Sequence, residues 1–173
     1  MNGLVFAAMI TISIYVVGMV VARRRSDGHG GWLDAVPESI SQTVFLLPRS
    51  GQWVFTIVMW MVGFLLLPVL LEKVSESTQF VAFLMVAGIL LVGASPLVLK
   101  EKNTIHSVGA VIAGVMSQLL VALNHPLLLL TWFLYVGYTL LAKDVSKNLF
   151  WVQVTCMLNV FALCFSCAGS ASN

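Results

Sequence analysis

Charged residues are scarce in this sequence of 173 residues, because Asp, Glu, Lys and Arg together make up only 9% of it. Soluble globular domains carry about 25% charged residues, whereas this chain is 60% hydrophobic. The composition therefore excludes an ordinary soluble domain and indicates a protein whose solvent is a lipid bilayer. A nucleic-acid partner is not expected either, since the net charge is only +2 and basic residues that set membrane topology need bind nothing.

The sequence also lacks the alternating pattern of membrane barrel strands. It contains instead six long apolar stretches without Asp, Glu, Lys or Arg, and a bilayer core is crossed by about 20 helical residues. Backbone groups in hydrocarbon must bond within their own segment, so such stretches form helices. We predict an all-α polytopic membrane protein, one domain over 1–173 with six transmembrane helices, at about 4–22, 53–71, 80–99, 105–123, 127–142 and 149–165.

Basic residues are distributed unevenly between the two sides of this predicted bundle. Eight of the nine fall in alternate connections, against Lys73 alone on the other side. The positive-inside rule makes the basic side cytoplasmic and places both termini outside, and we expect a bacterial inner membrane. The eight residues are Arg23, Arg24, Arg25, Arg49, Lys100, Lys102, Lys143 and Lys147.

Groups that bind metals or cofactors are few and scattered. The three cysteines, Cys156, Cys164 and Cys167, all fall in or directly after the last stretch without an accompanying histidine, and they are interpreted as small packing residues. No histidine pair is placed to hold a haem. We expect no cofactor and no metal.

The first connection, 23–52, is the only long one, and its character changes midway. It begins with a glycine-rich stretch, Ser26–Gly31, that favours flexible backbone. From Trp32 it alternates apolar and polar residues, which is typical of a segment lying along a membrane interface. We expect it to form an interfacial cytoplasmic loop.

The fourth stretch is the least lipid-like of the six. Small residues at helical spacing allow close approach of two helices, and a glutamine can bond across such a contact. We expect this helix to pack inside the bundle through Gly109, Ala110, Ala113, Gly114, Ser117 and Gln118.

His106 opens the fourth stretch on the same side as a polar part of the first loop. A histidine beside Ser39, Ser41 and Glu38 has the groups of a general base with a nucleophile. The same histidine is equally explained as a helix-entry residue that bonds to a backbone carbonyl or a serine. Both interpretations of His106 stay open.

Two short motifs indicate a resemblance to a known family. The first is Pro37-Glu38-Ser39-Ile40-Ser41-Gln42-Thr43 with Pro48, and the second is Ile105-His106-Ser107-Val108-Gly109-Ala110. With six spans, they resemble the DRAM-like family of damage-regulated autophagy modulators. The chain is also similar to small polytopic membrane proteins of gut bacteria and their phages. The resemblance implies a bundle whose first loop folds back toward the start of the fourth helix, and it implies no settled reaction.

These observations favour a non-enzymatic membrane protein with a polar pocket on its cytoplasmic side. The pocket would bind a lipid head group or a partner protein, and it would consist of Glu38, Ser39, Ser41, Thr43 and His106. One alternative is a lipid-modifying enzyme that uses His106 with Ser39 or Ser41 and Glu38. Another is an oligomeric pore or holin-like protein. The expected partners are membrane lipids, with a membrane protein or a second copy of the chain as further possibilities.

Overall fold

The computed structural model describes residues 2–27, 35–97, 104–141 and 146–166, and these ranges are helical throughout apart from short connections. No strand occurs among them, so the predicted all-α class is confirmed. The six α-helices are α1 Asn2–Asp27, α2 Gln52–Lys73, α3 Gln79–Ala94, α4 Thr104–Asn124, α5 Thr131–Leu141 and α6 Asn148–Ser166.

Five of these helices are long and apolar enough to cross a membrane. The exception is α5, which has 11 residues and follows a short 3-10 turn at Pro126–Leu130. The proline suits this position, because its missing N–H would have no partner in a first turn. The turn and α5 together form one apolar segment, Pro126–Leu141.

Contacts between helix ends show that successive helices alternate in direction. At one end Ser95, which follows α3, bonds to His106 in the first turn of α4. At the other end Ser75, which follows α2, bonds to Asn124 at the end of α4. Phe6 and Phe165 also meet at that end, with ring centroids 5.1 Å apart.

We call the end of the bundle where α1 finishes and α6 begins the basic end. Among the described residues it carries Arg23, Arg24, Arg25, Arg49 and Lys147, whereas Lys73 closes α2 at the opposite end. Lys100, Lys102 and Lys143 lie outside the described residues.

The closest helix contact joins α3 and α4 at Gly88. A Cβ atom on Gly88 would lie 2.5 Å from the backbone nitrogen of Ala113 and 2.8 Å from the carbonyl oxygen of Gly109. A Cβ atom on Gly109 would in turn lie 2.9 Å from the carbonyl oxygen of Gly88. Only glycine permits this approach of two backbones, which is how small residues act in membrane helix pairs.

The first loop differs from its prediction in extent and in position. It is predicted to begin at residue 23, but α1 continues to Asp27, and residues 28–34 lie outside the described part. The segment from Ala35 onward packs into the bundle instead of lying on its surface, because Val36, Ile40 and Val44 are buried. An amphipathic pattern is satisfied by helix side chains as well as by an interface, and here the helices cover the apolar face.

Candidate functional site

The folded first loop is anchored to α1 by a buried pair of hydroxyl groups. Thr43 donates a 2.5 Å hydrogen bond to the carbonyl oxygen of Ile40, and its oxygen lies 2.7 Å from the Tyr15 hydroxyl. A threonine hydroxyl has one proton, so Tyr15 is the donor to Thr43. Only 1% of Thr43 is exposed, and this bond therefore fixes the loop against α1 inside the bundle.

The same loop is joined to the first turns of α6 by two hydrogen bonds, one between backbone groups and one to a side chain. The Phe150 amide donates to the Glu38 carbonyl oxygen at 2.9 Å, and the Ile40 amide donates to Gln153 Oε1 at 2.7 Å. Beside them Val36, Ile40 and Phe150 form a small apolar cluster. The loop is thus held between α1 and α6.

The remaining polar side chains of the loop bond to one another. The Ser39 and Ser41 hydroxyl oxygens are 3.2 Å apart, and Ser39 accepts the amide of Gln42. The Gln42 side chain in turn accepts the Glu38 amide and donates to its carboxylate. Ser39 and Ser41 are buried, while Glu38 is exposed.

His106 forms its hydrogen bond with the residue that follows α3, and not with a residue of the first loop. Its Nδ1 lies 3.2 Å from the Ser95 hydroxyl, which donates at 2.7 Å to the Val92 carbonyl oxygen. Because that hydroxyl has one proton, the ring must donate from Nδ1. Within the described part of the chain, no hydrogen bond joins His106 to Glu38, Ser39, Ser41 or Thr43. The structure therefore brings the four loop residues together and connects the histidine to a different helix end.

A cavity of about 250 Å³ lies between the loop and five of the helices. Its walls are mainly apolar side chains of α1, α2, α3, α4 and α6. Four polar residues also line it: Ser41 and Gln153 toward the basic end, and Ser117 and Cys156 deeper in the bundle. Ser117 already donates to the Gly114 carbonyl oxygen. Gln153 uses only its Oε1, and its Nε2 makes no hydrogen bond to a described residue.

The cavity is elongated along the axis of the bundle. On α6 it extends from Leu149 to Phe161, which corresponds to about 18 Å at 1.5 Å per residue. One leaflet of a bilayer contributes about 15 Å to a hydrocarbon core of about 30 Å. The length of the cavity therefore matches the depth of one leaflet, measured from the basic end.

The small residues of α4 have two different surroundings. Gly109 and the backbone of Ala113 contact α3, whereas Ala110 and Gly114 line the cavity, as Ala113 also does. A Cβ atom on Gly114 would meet no atom within 4 Å. Part of the small-residue stripe thus leaves space open instead of bringing two helices together.

A polar network lies next to the deep end of the cavity. Gln118 Oε1 accepts from Trp132 Nε1 at 2.8 Å and from Asn159 Nδ2 at 2.9 Å. The Thr131 hydroxyl lies 2.6 Å from Asn159 Oδ1. One glutamine oxygen therefore connects α4, α5 and α6, and Asn159 is fully buried.

Two buried polar atoms near the start of α6 have no hydrogen-bond partner among the residues that the structure describes. They are Asn148 Oδ1 and Trp151 Nε1, one helical turn apart and close to the basic end. Such orphaned groups are rare in folded proteins and call for a water, an ion or a ligand. The sequence offered no signal for these two atoms.

The described residues contain no group of three or more His, Cys, Asp or Glu side chains that could hold a metal ion. The chemistry that the site offers is therefore apolar contact along the cavity and hydrogen bonding near its basic end. Comparison with known proteins gives no matching family model, no similar curated protein and no similar solved structure.

Proposed function

We propose that this chain is a non-enzymatic integral membrane protein that binds a lipid of the leaflet at its basic end. The observation that carries the proposal is the cavity, which is apolar, about 250 Å³ in volume and as long as one leaflet is deep. A hydrocarbon chain fits such a space, since burying apolar surface against apolar walls needs no polar partner. The lipid head group then lies at the basic end, beside the folded loop.

Polar groups at the basic end support this orientation of the lipid. Ser41 and Gln153 line the cavity there, and a hydroxyl and a side-chain amide can each donate hydrogen bonds to an ester or phosphate oxygen. Arg23, Arg24, Arg25 and Lys147 add positive charge at the same end. Each basic residue near a membrane surface attracts anionic lipid by about 1 kcal/mol, so an anionic head group is favoured.

Of the five residues in the pocket expected from the sequence, only Ser41 lines the cavity of this proposal. Ser41 contributes directly, and Glu38, Ser39 and Thr43 hold the loop in place. His106 has a structural partner in Ser95, and no contact favours its use as a catalytic base. The pairing of His106 with a loop serine, which the lipid-modifying enzyme would use, is not among the contacts of the described residues.

We further propose that the basic end faces the cytoplasm of a bacterium and that both termini lie outside the inner membrane. The support is the uneven charge: among the described residues, Lys73 is the one Lys or Arg at the opposite end, and the positive-inside rule places the basic end inside. An epitope tag at the N-terminus of cells carrying this protein should be accessible to antibody once the outer membrane is opened. Accessibility only after lysis of the inner membrane would contradict this orientation.

Filling the cavity should displace the lipid. Gly114→Leu adds a side chain where the structure has open space, so we expect bound lipid to fall about tenfold, equivalent to about 1.4 kcal/mol of binding free energy. Native mass spectrometry of protein purified from lipid nanodiscs measures the bound fraction.

The matched control is Gly18→Leu, because Gly18 is exposed on α1 and a Cβ atom there also meets nothing within 4 Å. This variant should keep the lipid. Equal lipid occupancy in both variants, with both folded, would contradict binding in the cavity.

A further inference from the structure

One wall of the cavity is open to the outside of the bundle between α4 and α6. Val111 of α4 and Leu149 of α6 both line the cavity, yet they are 63% and 55% exposed. On the opposite side the lining residues Val62 and Met85 are 2% and 1% exposed. The gap at Val111 and Leu149, which we call the window, therefore connects the cavity sideways with the surroundings of the bundle.

Helix α5 leaves this window uncovered. None of its described residues, Thr131–Leu141, lines the cavity, and none is buried. The start of α5 is tied to α4 and α6 by Trp132 and Thr131 next to the deep end. Toward the basic end α5 packs against α6, where the ring centroids of Tyr138 and Trp151 are 5.3 Å apart.

The volume of the cavity limits what it can hold. Pockets that enclose a whole small ligand measure about 300–1,000 Å³, and this one measures about 250 Å³. The cavity is as long as one leaflet is deep, but its volume is sufficient for only one hydrocarbon chain. A lipid with two hydrocarbon chains therefore cannot be enclosed entirely.

We infer that the cavity takes one chain of a two-chain membrane lipid through the window, while the second chain stays in the bilayer outside. This inference rests on the proposed function, and it adds the class of lipid and its route of entry. The exposed, apolar edges at Val111 and Leu149 allow the two chains to lie on either side of the window. The head group that joins them lies at the basic end, near Ser41 and Gln153.

The experiment compares two lipids that share a head group: phosphatidylglycerol, which has two chains, and its one-chain lyso form. Wild-type protein should bind both by native mass spectrometry. Val111→Trp places a large ring at the window, so two-chain binding should fall about tenfold, as a loss of about 1.4 kcal/mol would produce. The lyso form has no second chain to lie outside the window, so its binding should fall much less than that of the two-chain lipid.

Val115→Trp is the matched control, because Val115 is 56% exposed on the same helix and does not line the cavity. It should bind both lipids as wild type does. Unchanged two-chain binding by Val111→Trp, or an equal loss of both lipids, would overturn the window. Failure of wild-type protein to bind either lipid would instead overturn the proposed function, and the two failures are thus distinguishable.

Discussion

Gly88→Ala is expected to lower the free energy of unfolding by about 3 kcal/mol, which is the upper range for overpacking a rigid contact. The added methyl group would lie 2.5 Å from the Ala113 nitrogen and 2.8 Å from the Gly109 oxygen. Both are backbone atoms, which cannot move aside as a flexible side chain can. The helices α3 and α4 must then separate, and the loss includes their other packing contacts.

Gly114→Ala is the control for this prediction, since it makes the same chemical change in α4 where nothing lies within 4 Å. Alanine is favoured over glycine inside a helix by about 1 kcal/mol, so this variant should be more stable than wild type. Reversible unfolding in mixed detergent micelles, followed by circular dichroism, measures both. Equal effects of the two substitutions would contradict the close contact at Gly88.

Gln118→Leu is expected to destabilise the bundle by about 2–4 kcal/mol. Its Oε1 is the acceptor for Trp132 Nε1 and for Asn159 Nδ2, and leaving a buried donor unsatisfied costs about 1–3 kcal/mol. Asn159 is fully buried and has no route to water. Detachment of α5 should accompany the loss, because Trp132 belongs to that helix.

Two further variants distinguish the cost of leaving two hydrogen-bond donors without an acceptor from the cost of losing the Gln118 side chain itself. Trp132→Phe alone removes one donor but leaves Gln118 bonded to Asn159, so it should cost about 1 kcal/mol. Adding Trp132→Phe and Asn159→Leu to Gln118→Leu removes both orphaned donors and should restore much of the stability. If the triple variant were less stable than Gln118→Leu, the network would not work through its hydrogen bonds. The same unfolding assay in micelles serves here.

The helices follow from the sequence because long apolar runs in a bilayer have few alternatives. The contact at Gly109 is different, since hydropathy does not specify its neighbour. A stripe of small residues predicts that some helix approaches α4, and only the structure identifies Gly88 of α3 as the partner. Gly114 belongs to the same stripe and lines a cavity instead, which shows that spacing alone does not distinguish close packing from open space.

The first loop and His106 illustrate a second limit of sequence reasoning. The alternation around Val36 and Ile40 fits a membrane interface and the side of a helix bundle equally well, because both cover one apolar face. For His106, the sequence allows a serine partner, and the serines it suggests are Ser39 and Ser41 of the loop. Ser95, 11 residues earlier at the end of α3, is the residue that it contacts.

The cavity itself had no signal in the sequence. The cavity is the space that remains after side chains from five helices and a loop have packed. Its volume therefore depends on the packing of all these elements at once. Gln153 was recognisable as a polar residue within a span. Its use as the acceptor for the Ile40 amide and its place in the cavity wall depend on how the loop folds.

Photo-crosslinking tests the central claim, lipid binding in the cavity, most directly. A phospholipid with a diazirine group along one chain is incorporated into nanodiscs with the protein, irradiated, and the adducts are mapped by peptide mass spectrometry. We predict adducts on cavity residues that are shielded from bulk lipid, above all Val62 and Met85, and their loss in Gly114→Leu. Adducts confined to outward-facing side chains such as Phe133 and Leu134 would contradict the account.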